Sequence, residues 1–547
     1  MRRRLAGALA AVVAIACAVP AAEAALPRHT DRWLAVLERP ADARSPGLVA
    51  NLLERFGLER AGPGAPGLGV VTLRGPDAAV ERLRSDPAVT GVSREWLRDL
   101  RRVPNDPALG SPESEYVVPP GTPIQWALAR QGFPAAWDVT TGATARVAIL
   151  DTGIDAAHPE LGGKVASADS VDAGDARTDS DGHGSHVSGL ACAGTDDGRG
   201  IAGAGWGCRL HVVKLGTDLT GGIPDETIVR GLEVAIGHAP HAIGMSFGGG
   251  PDSAALDAAI QAAYDRGIVL VAAASNEDDD DGQGAPASQL QPGDAANIDA
   301  GRGLVVTAAD FADTRAGTGR GDEISLAAYG FYDEERGPPG LISTYPGAFT
   351  LRDLPGCTPV VLPACSRRDL GGDDSYAYLQ GTSMATPQVA ALAALVGALN
   401  PGLATGEKLR IIKATARRSG GWSPDLGWGI IDAGAAVEEA RRIDRLAPSS
   451  RVRVARRRGR RVRLAVRAGD PGAARGLIPA GVKRVDVFAR RGKRPFRRLR
   501  RLSGKGSFAV ALRPGVWRFF SRSVDHAGNV ELRPGRADAR IRVKRPQ

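Results

Sequence analysis

Gly381-Thr382-Ser383-Met384-Ala385-Thr386-Pro387 is the stretch on which both fold and chemistry turn. It sets one serine among small residues just ahead of an apolar run, 388–399, that reads as a buried helix. A serine at a helix N-terminus is well sited for nucleophilic attack, because the dipole and the free backbone N–H groups favour negative charge on a nearby oxygen. The hydroxyl alone is inert at neutral pH. It needs a base within hydrogen-bond reach and a group behind the base to orient it. A lone serine before a helix is more often an N-cap, so the rest of the chain decides.

Upstream, Asp181-Gly182-His183-Gly184-Ser185-His186-Val187-Ser188-Gly189 supplies a base candidate, His183, between glycines that let a substrate come close. Further upstream, Val147-Ala148-Ile149-Leu150 reads as a buried strand that ends on Asp151. The carboxyl ends of strands are where open α/β sheets build their sites. The candidates therefore run Asp151, His183, Ser383 along the chain.

These three motifs, in this order, resemble the subtilisin-like serine proteases, the subtilase family, over roughly residues 100–445. The resemblance implies Ser383 as nucleophile, His183 as general base and then general acid, and Asp151 as the group that orients the imidazole and stabilises its cation. It gives no such role to Asp155 or His186, and His186 reads as a packed or hydrogen-bonded neighbour. The segment Ile268 to Asn276 is similar to the family strand that ends in Ala-Gly-Asn, with Ser275 where glycine is usual. Asn276 would then donate to the oxyanion beside the backbone N–H of Ser383. Ile243-Gly244-Met245-Ser246-Phe247-Gly248-Gly249 resembles the strand that holds substrate through its backbone, which makes Ser246, Phe247 and Gly248 the substrate-binding candidates. Glu277 and the run Asp278–Asp281 follow; they read either as a rim favouring a basic substrate side chain or as a solvated loop. The family needs no cofactor for catalysis and commonly carries calcium as a brace. The candidate oxygens here are Gln125, Glu160 and the 195–199 loop with Asp196 and Asp197. Calcium takes about six to eight oxygens, and the sequence assigns no metal ligand.

The alternating order of apolar strands and helices from Ile124 to about Arg445 predicts a mostly parallel sheet covered on both faces. Expected strands lie near 146–151, 209–215, 242–247, 268–274, 303–308 and 324–328. Expected helices lie near 183–193, 225–237, 253–266, 383–399, 406–417 and 432–442. Residues 347–375 read as an inserted surface loop. Before this domain, 25–102 reads as a small α+β unit similar to the inhibitor-type propeptide of subtilases, a chaperone that covers the cleft until it is cut away. An ordinary retained N-terminal domain is the alternative. Residues 1–24 carry Arg2–Arg4, an apolar stretch and an Ala22-Glu23-Ala24 cleavage pattern, the marks of a secretory signal. A lipid anchor on Cys17 is the weaker reading, and no other run of 18 apolar residues is expected to span a membrane. Cys17 would leave with the signal. The remaining four cysteines suggest two disulfides in an exported protein, with three possible connectivities. Short loops favour Cys192–Cys208 and Cys357–Cys365. Nothing in their spacing suggests zinc.

Charge divides the chain. Residues 451–547 carry 30 Lys and Arg against 5 Asp and Glu, a net +25, whereas the rest carries 40 against 56, a net −16. Arg451-Val452-Arg453-Val454, Val485-Asp486-Val487-Phe488 and Phe508 to Leu512 alternate with period two, so 446–547 is expected to be an antiparallel β-sandwich of immunoglobulin-like type. Such a charge would attract an anionic cell-wall or surface polymer; alternatively it is a stable module whose surface is merely arginine-rich. No recognition helix or zinc motif points to a specific nucleic acid. The expected protein is a secreted, self-processing serine endopeptidase acting on proteins or peptides. A binding protein on a dead protease fold would lack one of the four catalytic side chains. An acid-acting serine-carboxyl peptidase would carry glutamate and aspartate where this chain has His183 and Asn276.

Overall fold

The structure, a computed structural model, describes residues 29–96, 103–171, 174–217, 222–278, 282–332, 336–348, 350–351, 367–417, 420–471 and 477–545. The signal-like segment, Asp279–Asp281, Cys357 and Cys365 lie outside the described residues.

The N-terminal unit has β1 (His29–Leu37), α1 (Pro46–Phe56), β2 (Val70–Arg74), α2 (Asp77–Leu83) and β3 (Val89–Trp96). β1 lies between β2 and β3, antiparallel to both, and the two-residue strand Glu59–Arg60 flanks β2. Leu52 and Leu53 of α1 and Val80 and Leu83 of α2 pack on Ala35, Val71 and Leu73 of the sheet, a core of its own.

Seven parallel strands form the central sheet: β4 (Arg146–Asp151), β5 (Val165–Ser170), β6 (Arg209–Lys214), β7 (Ala242–Met245), β8 (Val269–Ala273), β9 (Gly303–Ala309) and β10 (Leu326–Tyr329). Their order is β10-β9-β8-β7-β4-β6-β5. Successive side chains of a strand point to opposite faces, and here both faces are buried. Val147 and Ile149 enter one core and Ala148 and Leu150 the other. α4 (Asp225–Gly237) and α5 (Ala254–Asp265) cover the second face through Leu232, Leu256 and Ile260. α3 (His183–Cys192), α6 (Thr382–Leu399), α7 (Thr405–Thr415) and α8 (Ala433–Arg442) cover the first.

α6 follows a small antiparallel sheet built from β11 (Leu341–Thr344), β12 (Tyr376–Leu379) and the pair Arg367–Arg368. Its 18 residues are apolar on every side, with mean hydropathy 1.4, long and apolar enough to cross a membrane; 89% of that window is buried inside the protein. An all-round apolar helix belongs in the middle of a core, and alanines allow the close approach. Ala390 packs so near Gly244 that a methyl placed at Gly244 would sit 3.5 Å from it and 3.2 Å from Ile149.

The C-terminal module is the expected antiparallel sandwich. One sheet is β13 (Ser449–Arg458), β14 (Arg461–Gly469) and, paired to β14, β17 (Gly506–Ala511). The other has the order β16 (Arg497–Leu502), β15 (Val482–Arg491), β18 (Gly515–Asp525), β19 (Ala539–Val543). Alternate residues Val462, Leu464 and Val466 meet Val485, Val487 and Phe519 between the sheets.

Candidate active site

Asp151 is the last residue of β4 and is fully buried. Its Oδ1 accepts from the Thr152 N–H at 2.8 Å and lies 2.8 Å from His183 Nδ1. A carboxylate there fixes the proton on Nδ1 and leaves Nε2 as the basic nitrogen. His183 opens α3, and its glycine neighbours are required by space. Gly182 sits at φ 96°, with the Tyr345 ring 2.4 Å from where a Cβ would be. A Cβ on Gly184 would fall 2.2 Å from the Gly153 carbonyl oxygen. The tight approach of α3 to the 151–153 turn is what brings imidazole and carboxylate together.

A residue the sequence reading missed locks this arrangement. Asp179, 7% exposed, accepts from the Thr152 hydroxyl at 2.9 Å and the Gly182 N–H at 2.9 Å with one oxygen. Its other oxygen accepts from the Ser185 N–H and hydroxyl, both at 2.7 Å. One carboxylate thus caps the N-terminus of α3 and ties it to the turn after Asp151. A carboxylate four residues before the histidine, just ahead of a helix, was the available signal. The remaining motif residues are structural, as expected. His186 Nε2 lies 3.1 and 3.0 Å from the Leu341 and Ala377 carbonyl oxygens, and Asp155 shapes its own turn through the Ala157 N–H.

Ser383 is the second residue of α6, after Gly381 at φ 139°. Its hydroxyl donates to the Ser246 carbonyl at 3.0 Å, while the Ser246 hydroxyl donates to the Ser383 carbonyl at 3.1 Å. Proton transfer to His183 therefore begins with the hydroxyl turning away from Ser246. Asn276 accepts from the Thr382 N–H and hydroxyl, each at 3.0 Å, through Oδ1. Two donors on the oxygen fix the amide's orientation and leave its NH₂ as the donor for the cleft. Ser275 needs no glycine-only backbone. Its hydroxyl accepts from the Glu277 N–H at 3.0 Å and orders the turn beyond Asn276.

His183, Asn276, Ser383, Ser246, Phe247 and Gly248 line one cleft of about 870 Å³, and Asp151 stands behind His183 out of solvent. All seven sequence candidates for catalysis and substrate binding are thus found at one place. The cleft wall also carries the carboxylates of Asp252, Glu277 and Glu323 and no lysine or arginine among the described residues. Asp278, by contrast, pairs with Arg315 at 2.7 Å.

The calcium candidates are only partly brought together. Gln125 bonds Ala202 through both amide atoms, Nε2 donating to the carbonyl at 2.6 Å and Oε1 accepting from the N–H at 2.9 Å, which leaves one lone pair on the oxygen. Asp196 accepts from the Asn105 N–H. Glu160 is buried, with Oε1 taken by Tyr376 and the Ile201 N–H and Oε2 left without a partner. Burial pushes its carboxyl up to about 8, with the charges of Asp197 and Asp106 adding to the rise. Asp106, which the sequence reading overlooked, receives the N–H groups of Asp196 and Asp197 and is itself pushed up to about 6 by burial. The orphaned Oε2 of Glu160 is open to a hard cation, whereas among the described residues the acids whose oxygens converge within 4.8 Å of one another are Asp444, Asp470 and Asp525.

A model of the subtilase family matches residues 142–429. Subtilisin BL of Lederbergia lenta is 34% identical over 318 residues, which are 57% of this chain and 98% of that protein. The alkaline protease of Alkalihalobacillus alcalophilus is 32% identical over 344 residues, 62% of this chain and 77% of that one. Thermitase of Thermoactinomyces vulgaris is 28% identical over 337 residues, 61% of this chain and 99% of that one.

Proposed function

The chain belongs to the subtilase family and is a subtilisin-like serine endopeptidase, and from that premise we propose that it is exported as a zymogen and cuts proteins through an acyl-enzyme on Ser383. The observation that carries the reading is His183 Nδ1 at 2.8 Å from the buried Asp151 carboxylate, on the same cleft as Ser383 and Asn276. In the first step Ser383 Oγ attacks the peptide carbonyl and gives its proton to His183 Nε2. Asn276 and the Ser383 N–H meet the oxyanion, and Asp151 stabilises the imidazolium. His183 then returns the proton to the leaving amine, and water repeats the sequence to free the acid. A serine-directed phosphonylating reagent should label Ser383 alone and stop turnover; label on another serine would end the assignment. Asn276→Ala should lower kcat about a hundred- to a thousandfold with little change in KM, the scale established on subtilisin itself.

Export is supported by the basic, apolar and Ala-x-Ala pattern of residues 1–24 and by the Cys192–Cys208 pair, whose Cα atoms are 5.7 Å apart. The zymogen reading is supported by the compact 29–96 unit with its own core. The carboxylates of Asp252, Glu277 and Glu323 on a cleft wall free of described cations support a preference for arginine or lysine just before the cut bond. Peptides differing only there should show kcat/KM for Arg at least about tenfold above Phe, and Glu277→Gln should narrow the gap. Equal or better turnover of Phe would remove the preference.

Glu160, with its unpartnered Oε2, is the residue on which a calcium would be held, with Asp106 and Asp197 supplying nearby negative charge, and the ion would supply a structural cross-link to the 194–201 loop. A chelator should then lower Tm by several degrees, and Glu160→Gln should abolish that difference. A chelator-insensitive Tm would rule the brace out. The basic module, in this reading, holds the enzyme on an anionic surface polymer.

A further inference from the structure

Cross-strand register sets up a second site, on the outer face of the C-terminal sandwich. Arg490 of β15 pairs directly with Arg518 of β18, and Arg518 pairs directly with Arg540 of β19. Three guanidinium-bearing residues therefore stand in a row across adjacent strands, about 4.8 Å apart. Like charges directly opposite one another cost stability; the other sheet also pairs arginines, Arg451–Arg467, Arg456–Arg463 and Arg458–Arg461, but there Arg461 and Arg463 face alanines on β17, whereas here the row runs across three strands. Arg533 and Arg536, from the connection between β18 and β19, complete the wall of a basin of about 660 Å³ in which no carboxylate takes part.

The module's own acids are committed elsewhere. Of the five carboxylates in 451–547, Asp486 is shared by Arg484, Arg498 and Arg501. Asp538 holds the backbone of Val452 and Ser521. Glu531 holds Ser450 and Ser523, Asp525 holds Asn529, and Asp470 accepts from the Gly481 N–H. None is left for the five arginines of the basin.

The floor of the basin orders two of the five guanidiniums, and Arg518 is tethered instead by a bond to the Gly492 carbonyl at 3.5 Å. Arg490 lies 4.7 Å over the ring of Phe496, and Arg533 lies 5.6 Å over Phe496 and 5.3 Å over Phe520. The Nε of Arg490 is buried without a partner. A guanidinium stacked on a ring keeps its N–H fork free at the edge, preset for the two oxygens of a carboxylate or phosphate. The rings themselves are taken: Phe488 stacks on Phe520 at 4.8 Å and Phe496 meets it edge-on at 4.7 Å. No aromatic face is free to stack a nucleobase, which single-stranded nucleic acid requires.

We propose that this basin, with Arg518 at its centre, binds an extended anionic polysaccharide, one carboxylate or phosphate group per guanidinium along the Arg490–Arg518–Arg540 row. The proposal rests on the reading of the module as a surface anchor and names the site that does the anchoring.

The test uses the full chain made inert by Ser383→Ala, with polygalacturonate as the probe and low salt as the starting condition. Replacing Arg490, Arg518 and Arg540 together by glutamine should weaken binding roughly tenfold or more and flatten its salt dependence. The same change at Arg451, Arg453 and Arg467, on the other sheet, should weaken it no more than about threefold by lost long-range attraction. Lysine in the row should rescue part of the affinity, since it restores charge and not the fork. Equal losses in the two glutamine triples would overturn the basin while leaving the charged module as an anchor. No binding by the parent would overturn both. Tighter, row-dependent binding of oligo(dT) or of phosphatidylglycerol vesicles would overturn the ligand class. Removing the row relieves repulsion, so Tm should not fall. Should the triple fail to fold, Arg518→Gln is read alone, and a loss under twofold would sink the proposal.

Discussion

Replacing Ser383 by alanine should stop peptide hydrolysis, lowering kcat by about a millionfold, a scale known for the subtilisin triad rather than obtained from this structure. The reason is structural as well as chemical. Two hydroxyls at the start of α6 line the cleft with His183 and Asn276, but Thr382 commits its own to the Ala274 carbonyl at 2.8 Å and to Asn276, which leaves Ser383 as the nucleophile. No neighbour can stand in. The loss should extend to the chain's own processing. Sequenced after export, the alanine variant should begin at Ala25 and keep the 25–102 unit, whereas the parent should begin near residue 103. A variant trimmed as fast as the parent in pure form would show that another protease does the cutting. A variant that still turns over peptide would show that Ser383 is not the nucleophile.

Asp151→Asn should lower kcat about ten-thousandfold, the scale known for this substitution in an unrelated serine protease with the same triad. Oδ1 of Asp151 receives the Thr152 N–H and His183 Nδ1, with the Thr152 hydroxyl a longer third contact at 3.3 Å. An asparagine that kept its oxygen there would hold the ring but could not stabilise its cation. One that turned its NH₂ inward would select the wrong tautomer. Asp151 is fully buried, so replacing a desolvated charge by a neutral amide of the same shape should leave Tm within a few degrees. Combined with Ser383→Ala, the change should cost almost nothing further, because the residues act as a unit. A loss below tenfold in the single variant would mean that Asp179 and its bonds to Thr152 and Ser185 suffice to orient His183.

The parts of the molecule that could be read in advance are those whose signal lies within one segment. β4, β8 and α6 are continuous apolar runs because both faces of the sheet and all sides of the helix are covered. β14 alternates because only one of its faces is. The edge strand β5 escaped notice because only Val165 of its six residues is buried, so Val-Ala-Ser-Ala-Asp-Ser carries neither pattern. β11 and β12 are four residues each and flank the 347–375 insertion, too short for a period to show. Among the site residues, Asp151, His183 and Ser383 are found through three motifs whose order matches a known family, and Asn276 through a fourth segment, since nothing local brings residues 151 and 383 together. Asp106 was invisible because its partners are N–H groups 90 residues away, at Asp196 and Asp197. The bonds of Gln125 to Ala202, 77 residues away, were hidden for the same reason. The arginine row depends on the offsets between β15, β18 and β19, which alternation within one strand does not encode.

A protease in solution with its own copies is also their substrate, and what it cuts are segments that open. Exposed connections open at little cost, whereas a helix enclosed by a sheet and other helices opens only when the whole domain does. Because α6 is enclosed in this way, wear should begin at the periphery, and a chain nicked in its outer loops should keep Ser383 seated and go on working. Activity should therefore outlast the integrity of the polypeptide, and then end abruptly.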